Sequence, residues 1–475
     1  MTRQIHLNGF EMNTVSHISH GLWTHPENER ERYLDIEYWL ETARLLERGL
    51  FDAIFLADVL GTSNVYGGSR DAAVERGIQI PNNDPFLVIP AMLAVTEHLG
   101  MAVTVSTTYE QPYANARRLS TLDHLSKGRL AWNVVTGYLP DAALNAGAAE
   151  RGASADRYGI ADEFLDVSYQ LWEGSWEDDA VVRDRERRVY AEPSKVHEVR
   201  HDGTYFQVAG PHLSEPSRQR TPVIFQAGTS AAGKDFAARH AEAVFVASQT
   251  ERDVADYVSD LRGRAEAAGR GRDAHRVFLQ VNLIIGESEE DAARKKADLL
   301  SHRDVVGYLV HHSGIAGVDL SAAAAGTIDL ENVAGHSQGY LAQITDRGRL
   351  HASQVLDVLS DPEQDEFLIV GTAAQVADRL QEIQEHTDVD GFNVVQYVSP
   401  GSFRDVVELL VPELQARGAY RTAYEPGETL RERLFPGGGP RLPETHPAAA
   451  HRRITTTAVE AVEAADAGAA GAADV

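Results

Sequence analysis

The sequence predicts an α/β protein built on a parallel sheet, as a barrel or a doubly wound sheet, and two observations carry that expectation. The first is the stretch from Met101 to Gly137, MAVTVSTTYEQPYANARRLSTLDHLSKGRLAWNVVTG. Met101 to Ser106 is β-branched and apolar on both sides, as suits a strand covered on both faces. Pro112 stands in the first turn of a helix, Leu119, Leu122 and Leu125 form its core stripe, and Lys127-Gly128 closes it. A second apolar run, Leu130 to Val135, follows and ends in Thr136-Gly137. The second observation is how often such runs recur. Strand patterns begin near residues 5, 51, 101, 130, 223, 242, 277 and 391, and FLIVG at 367–371 is a ninth apolar run. In both kinds of sheet, ligands bind where the strands end.

Taken in order, Ile5 to Phe10 is the first strand, followed by a polar loop holding His17, His20, Trp23 and His25. Three His on a loop with no carboxylate close by are a poor pattern for a metal, and no metal site is expected. Glu31 to Arg48 has an apolar helical face (Tyr33, Ile36, Trp39, Ala43, Leu46) with Gly49 as its cap. Phe51 to Ala57 is the second strand, and Asp58 ends it; a charge there is a helix cap or part of a site. Residues 61–85 lack periodicity, and loops this long inside a domain are functional or mobile. Pro85 starts an apolar helix, Phe86 to Leu99.

Beyond the central stretch, 138–155 is irregular and rich in Ala and Gly. Asp156 caps a helix from Arg157 to Trp172. Residues 181–211 are charged and β-rich, with HDGTYF as a hairpin signal, and read as an excursion outside the sheet. Val223 to Ala227 is a strand leading through GTSAAGK into the helix Ala231 to Ala241. Strands Glu242 to Ala247 and Val277 to Ile285 flank the helix Glu251 to Ala268, and Ala292 to Leu300 is helical. Residues 302–345 form a third interruption, with His311, His312 and HSQG at 336–339. Helices Leu350 to Leu359 and Thr372 to Glu385, a strand Gly391 to Tyr397 and a helix Phe403 to Ala416 complete the body, one domain over 1–435. Residues 436–475, with PGGGPRLPETHPAAAHRR and an Ala-rich acidic end, read as a disordered tail that buries no core.

Composition narrows the function. The absence of Cys among 475 residues excludes disulfides, thiolate metal sites and Cys nucleophiles. A net charge of −27 argues against a nucleic-acid partner, though not against one phosphate held by local donors. No apolar run spans a bilayer and the first residues lack a signal-peptide core, so a cytoplasmic protein with no membrane partner is expected. Such a phosphate has a place: GTSAAGK puts Gly228, Thr229 and Ser230 behind a buried strand and just ahead of a helix, so backbone N–H groups and the helix dipole face one anion.

A family resemblance adds the chemistry. LNGFEMNTVSHISHGLW, FDAIFLADVL, STTYEQPY, ARRLSTLDHLSKGRLAWNVVT, DRYGIADEFLDV, FQAGTSAAGKDFAARHAEAVF and RTAYEPGETLRERL occur in this order over roughly residues 4 to 435. Together they resemble the flavin-dependent monooxygenases of the bacterial luciferase superfamily, in the nitrilotriacetate and dibenzothiophene-sulfone monooxygenase branch. The resemblance implies a (β/α)8 TIM barrel with insertions near 61–85, 138–155, 181–211 and 302–345. It implies reduced FMN as cofactor, O2 as co-substrate, and oxygenation of a small organosulfur compound, aminocarboxylate, alkane or halogenated aromatic. No GxGxxG follows a strand, so a separate NAD(P)H-dependent flavin reductase is the implied electron source. A homodimer or homotetramer is expected.

At the site, the resemblance carries Asp58, Thr107 and Asn133 to the isoalloxazine, with Ser106 beside them. It carries Tyr158, Gly228, Thr229 and Ser230 to the phosphate. The first loop becomes a substrate wall, since the family has a His and a Trp there. His20 and His312 are the catalytic candidates, the latter because HSG at 312–314 resembles the HTG of sulfone-oxygenating relatives. One departure stands out: Ser154 or Ala155 occupies a place where many relatives have His. Two alternatives remain at this point, a deazaflavin-dependent dehydrogenase of the same superfamily and a flavin-binding protein without catalysis.

Overall fold

The computed structural model describes residues 3–148, 156–248, 250–321 and 365–452. Eight parallel strands close into a (β/α)8 barrel: β1 His6–Met12, β2 Ala53–Ala57, β3 Gly100–Ser106, β4 Leu130–Val135, β5 Val223–Gln226, β6 Ala243–Val246, β7 Arg276–Gly286 and β8 Gly391–Val395. Closure is visible at Phe392, which lies opposite Leu7 of β1 on one side and Leu279 of β7 on the other. The ninth apolar run, Leu368–Thr372, is a strand outside the ring. It pairs with Asn282 to Gly286, the part of β7 that runs on past the barrel, while Phe278 to Asn282 pairs with β8. Apolar content alone therefore marks a strand but not its membership of the barrel.

Two cores follow from the period-two alternation of strand side chains. Outward residues such as Leu7, Ile54, Met101, Val103, Leu130 and Trp132 pack under the helices. Inward residues, among them Phe10, Phe55, Ala102, Ala131, Phe225 and Phe278, fill the barrel. The helices stop and start on recognisable signals. Pro112–Ser126 ends on Lys127 at φ +59, Arg157–Tyr169 is capped by Asp156, whose carboxylate accepts from Gly159 N–H at 2.9 Å, and Ala231–His240 is capped by Ser230.

Several segments differ from the sequence expectation: Pro140–Asn145 is helical within 138–155, and the helix expected from Phe86 to Leu99 is confined to Ile89–Leu93 after a turn at Pro85–Leu87. Residues 61–85 are not wholly irregular, since Asp71–Arg76 is helical and closes on Gly77 at φ +68. The start of the 302–345 interruption is the helix Val305–Ala316, capped by Asp304 and ended by Gly317 at φ +66; HSQG and residues 350–359 lie outside the described residues. The chain after Phe435 does not leave the body. Leu442, His446 and Ala448 are buried, His446 Nε2 lies 2.9 Å from the His240 carbonyl, and Arg452 Nε donates to Glu173 Oε2 at 3.0 Å. The tail reading is thus corrected for 436–452: a buried Leu and a buried Ala suffice when ionic and backbone bonds, that of His446 among them, share the anchoring. Residues 453–475 lie outside the described residues.

Candidate active site at the carboxyl ends of the strands

Strand alternation selects what reaches the top of the barrel. With Met101, Val103 and Val105 facing out, Thr104 and Ser106 face in; with Leu130, Trp132 and Val134 facing out, Asn133 faces in. Thr104 Oγ1 donates to the Leu56 carbonyl at 2.8 Å and accepts from Asn133 Nδ2 at 2.9 Å. That leaves Asn133 Oδ1 buried without a hydrogen-bond partner. A buried acceptor in this state is costly unless a ligand supplies the donor.

Above these residues lies a cavity of about 420 Å³, whose wall includes Asp58, Asn82, Ser106 and Tyr138 with the apolar Ile80 and Leu139. Asp58 Oδ1 accepts from Asn82 Nδ2 at 2.8 Å. Burial nonetheless pushes the Asp58 carboxyl up to about 7, with Asp84 adding to the effect. Thr107 is fully buried, with its hydroxyl aimed at the Val135 carbonyl 3.4 Å away. Asp58 and Ser106 thus form the wall, and Thr107 and Asn133 lie beside it.

A second cluster gathers at the end of β5. Ser230 Oγ accepts from Gly233 N–H at 3.1 Å, and the Tyr158 hydroxyl is hydrogen-bonded to Ser230. Burial raises the Tyr158 pKa, so it remains a hydroxyl donor. Space here is tight: a Cβ on Gly233 would lie 2.6 Å from the Tyr158 hydroxyl, and one on Gly228 would lie 2.5 Å from Gln226 Nε2. Gly228, Thr229, Ser230 and Tyr158 therefore stand together at a helix start whose first N–H groups have no partner within the helix. The neighbouring Lys234 is committed to Asp260 at 2.8 Å. Arg157 donates to the Gly137 carbonyl and so ties this cluster to the rim of the cavity. Ser154 and Ala155 lie outside the described residues.

A third cluster holds the histidines. His20 Nδ1 lies 2.9 Å from Ser16 Oγ, and its Nε2 lies 2.9 Å from Nδ1 of His311. The direct partner of His20 is therefore His311, and His312 stacks on His311 with ring centres 5.9 Å apart. Burial, reinforced by the neighbouring imidazoles, holds His20 well below its ordinary value, and burial holds His311 at about 4 and His312 at about 3. The group is neutral near pH 7. Nearby, Gln79 lines the cavity wall and donates to the His17 carbonyl at 3.1 Å. Along the helix Val305–Ala316 the residues from Leu309 to His311 are buried while His312 is partly exposed, so packing places His311 against His20.

The chain compared with known proteins gives one consistent result. The family model of luciferase-like monooxygenases matches residues 12–389. The chain belongs to that family. It is 50% identical to the long-chain alkane monooxygenase of Geobacillus thermodenitrificans (strain NG80-2), over 96% of this chain and 100% of that protein. It is 45% identical to the dimethyl-sulfide monooxygenase of Hyphomicrobium sulfonivorans, over 95% of this chain and 94% of that one. The crystal structure of a riboflavin lyase with modified FMN and riboflavin matches with a TM-score of 0.88 at 36% identity, over 95% of this chain and 100% of that one. Within this luciferase-like monooxygenase, Asn82 and His311 are in direct contact with Asp58 and His20, and Tyr138 lines the same cavity wall as Asp58. Asn82 carried no local signal, since it lies 24 positions from Asp58 and meets it only when the chain folds back.

Proposed function

We propose that this protein is the oxygenase component of a two-component system, oxygenating a small apolar organic molecule with O2 and reduced FMN delivered by a separate NAD(P)H-dependent reductase. The observation that carries the reading is the pairing of a strand-end cavity with an anion cradle one Arg157 link away. The residues fit such a cofactor: Asn133 Oδ1 lacks a donor, and the cradle of Gly228, Ser230 and Gly233 is filled as soon as a Cβ is added. Reduced FMN, when bound, supplies the electrons that activate O2. The chain's own residues do the rest. Ser230, Tyr158 and the helix start hold the phosphate. Asn133 and Asp58 orient the ring edge, Asp58 keeping its proton up to about pH 7 because burial disfavours its charge. Burial in the His20–His311 pair leaves neutral imidazoles that pass or hold a proton without bringing bulk water. An apolar substrate is favoured by Ile80, Phe86 and Leu139 in the wall, and the relatives named for alkane and dimethyl sulfide support the same class.

The test is O2 uptake and product analysis over a panel of alkanes, sulfides and sulfones, with reduced FMN supplied by an unrelated flavin reductase. Turnover with the reductase and almost none with NADH and FMN alone is the expected result. Equal activity with reduced FAD, or substantial NADH oxidation without a reductase, defeats the proposal.

A further inference from the structure

The first loop carries a histidine that the flavin chemistry does not use. His25 follows the short helical turn Leu22–Thr24 and is 5% exposed. Its Nε2 lies 3.2 Å from Oδ2 of Asp298, a carboxylate 273 positions away in the last turn of the helix Glu289–Ser301. His302, the residue that ends this helix, stacks edge-on against His25 with ring centres 4.9 Å apart. One ligand atom from each of the three side chains lies within 4.8 Å of the others, the one such group of nitrogen and carboxylate ligands among the described residues.

We infer that His25, Asp298 and His302 form a site for a divalent transition cation of the zinc type, outside the flavin site, that clamps the first barrel loop to the helix end facing it. Zinc takes imidazole and carboxylate ligands at about 2.0–2.2 Å, so tetrahedral ligand atoms stand about 3.4 Å apart. The His25–Asp298 pair is already at that spacing, and only the third corner has to close. Asp298 has a side chain 55% exposed and free to rotate, and the fourth position is left to water. His302 is held as metal-binding histidines are. The Thr24 hydroxyl donates to the Gly21 carbonyl at 2.8 Å, so it accepts from His302 Nδ1–H at 3.0 Å, which leaves Nε2 unprotonated. His25 must give up one bond: its Nδ1 accepts from Glu27 N–H at 3.2 Å, and coordination at Nε2 moves the ring proton to Nδ1. Magnesium, which prefers an all-oxygen shell, is excluded by the two imidazoles.

The two segments joined by the cation are already in close register. A Cβ on Gly21 would lie 2.3 Å from the His302 carbonyl, and Asp304 N–H donates to the His20 carbonyl at 3.0 Å. Asp304 caps the helix that bears His311. A cation at His302 therefore pins the loop of His20 against the start of the helix of His311, stiffening the pair from below.

Tag-free protein stripped with chelator, then titrated with Co2+ for its visible d–d bands and with Zn2+ for the melting temperature, tests the site. Expected are one tightly bound Co2+ per chain with a tetrahedral spectrum and a rise in melting temperature with Zn2+ but not Mg2+. Asp298→Asn and His302→Gln, both at accessible side chains, should abolish the spectrum and the rise while leaving the melting temperature of the stripped protein unchanged. Thr24→Val should weaken binding about 10- to 100-fold through the lost support to His302. No spectrum, or a spectrum and shift that persist in His302→Gln, overturns the inference; so does an equal shift with Mg2+.

Discussion

Asp58 is where a single side chain says most. A carboxyl at the end of a buried strand, facing a largely apolar cavity, loses more from desolvation than Asn82 restores, and its pKa rises to about 7. The folded chain therefore holds a proton that the unfolded chain has already released above pH 4. The stability linked to that proton is fully present below the unfolded value and is lost as pH rises through 7. Asp58→Asn should flatten this dependence, so that its melting temperature gains on the parent between pH 5 and 8; parallel curves for the two proteins would contradict the buried acid. The proposed phosphate role of Ser230 and Tyr158 makes a separate prediction. Tyr158→Phe removes one donor while Ser230 continues to cap its helix, and hydrogen bonds to charged groups are worth about 1.5–3 kcal/mol. Anaerobic titration should show FMN affinity about 10- to 150-fold weaker, with turnover at saturating flavin kept. At this scale, placement was legible wherever a strand end or a helix start exposed it: Asp58 stands on the cavity wall and Ser230 caps its helix. The contacts of Asn82 with Asp58 and of His311 with His20 were not, because each depends on which distant segment folds against it.

Elements were legible in proportion to how local their signals are. The eight barrel strands stood out as apolar runs, and the helix Ala231–His240 announced itself through its Ser cap. The helix Val305–Ala316 was hidden inside a stretch rich in Gly and His, although Asp304 and Gly317 bracket it as cap and stop. Its burial has a consequence for pH. His17, His20, His311 and His312 are all held below the ordinary value of 6.5 by burial, with Arg30 facing His17, and Ser16 and Tyr308 packed against His20. Depressed His pKa values mean that the unfolded chain takes up protons first as pH falls. The stability they confer is present above about 6.5 and is lost towards pH 4. Thermal melts from pH 7.5 to 5 should fall steeply, and His312→Gln should reduce the slope. A slope unchanged in that variant would mean that other groups, the carboxylates of the ion pairs first, dominate the acid limit.

At the scale of the whole molecule, the barrel is closed twice, once by β8 against β1 and again by the chain that follows it. Arg431 is fully buried against Glu242, with both oxygens engaged at 2.6 and 2.9 Å, and it also donates to the Thr221 and Pro440 carbonyls. Arg433 donates to the carbonyls of Asp52 and His98 at the bottom of the barrel. Residues 437–452 then run on over the helices Arg157–Tyr169 and Ala231–His240, burying Leu442 and covering Glu173 with Arg452. Composition concealed this, since Gly, Pro and Ala are common both in disordered tails and in close-fitting straps. Ending the chain at Pro436 uncovers Glu173, whose carboxylate is then left with the Thr221 hydroxyl at 2.7 Å, and opens the pocket of Leu442. Loss of a buried Leu costs about 2–5 kcal/mol by itself, and a charge-assisted bond about 1.5–3 kcal/mol. The truncated protein should melt well below the parent, Leu442→Ala should reproduce part of the drop, and Arg452→Gln a smaller part. FMN affinity at a temperature where the truncated chain is still folded should change little, because among the described residues none of those removed is hydrogen-bonded to Ser230 or Tyr158. A truncated protein that melts with the parent would show that the strap contributes nothing to the fold.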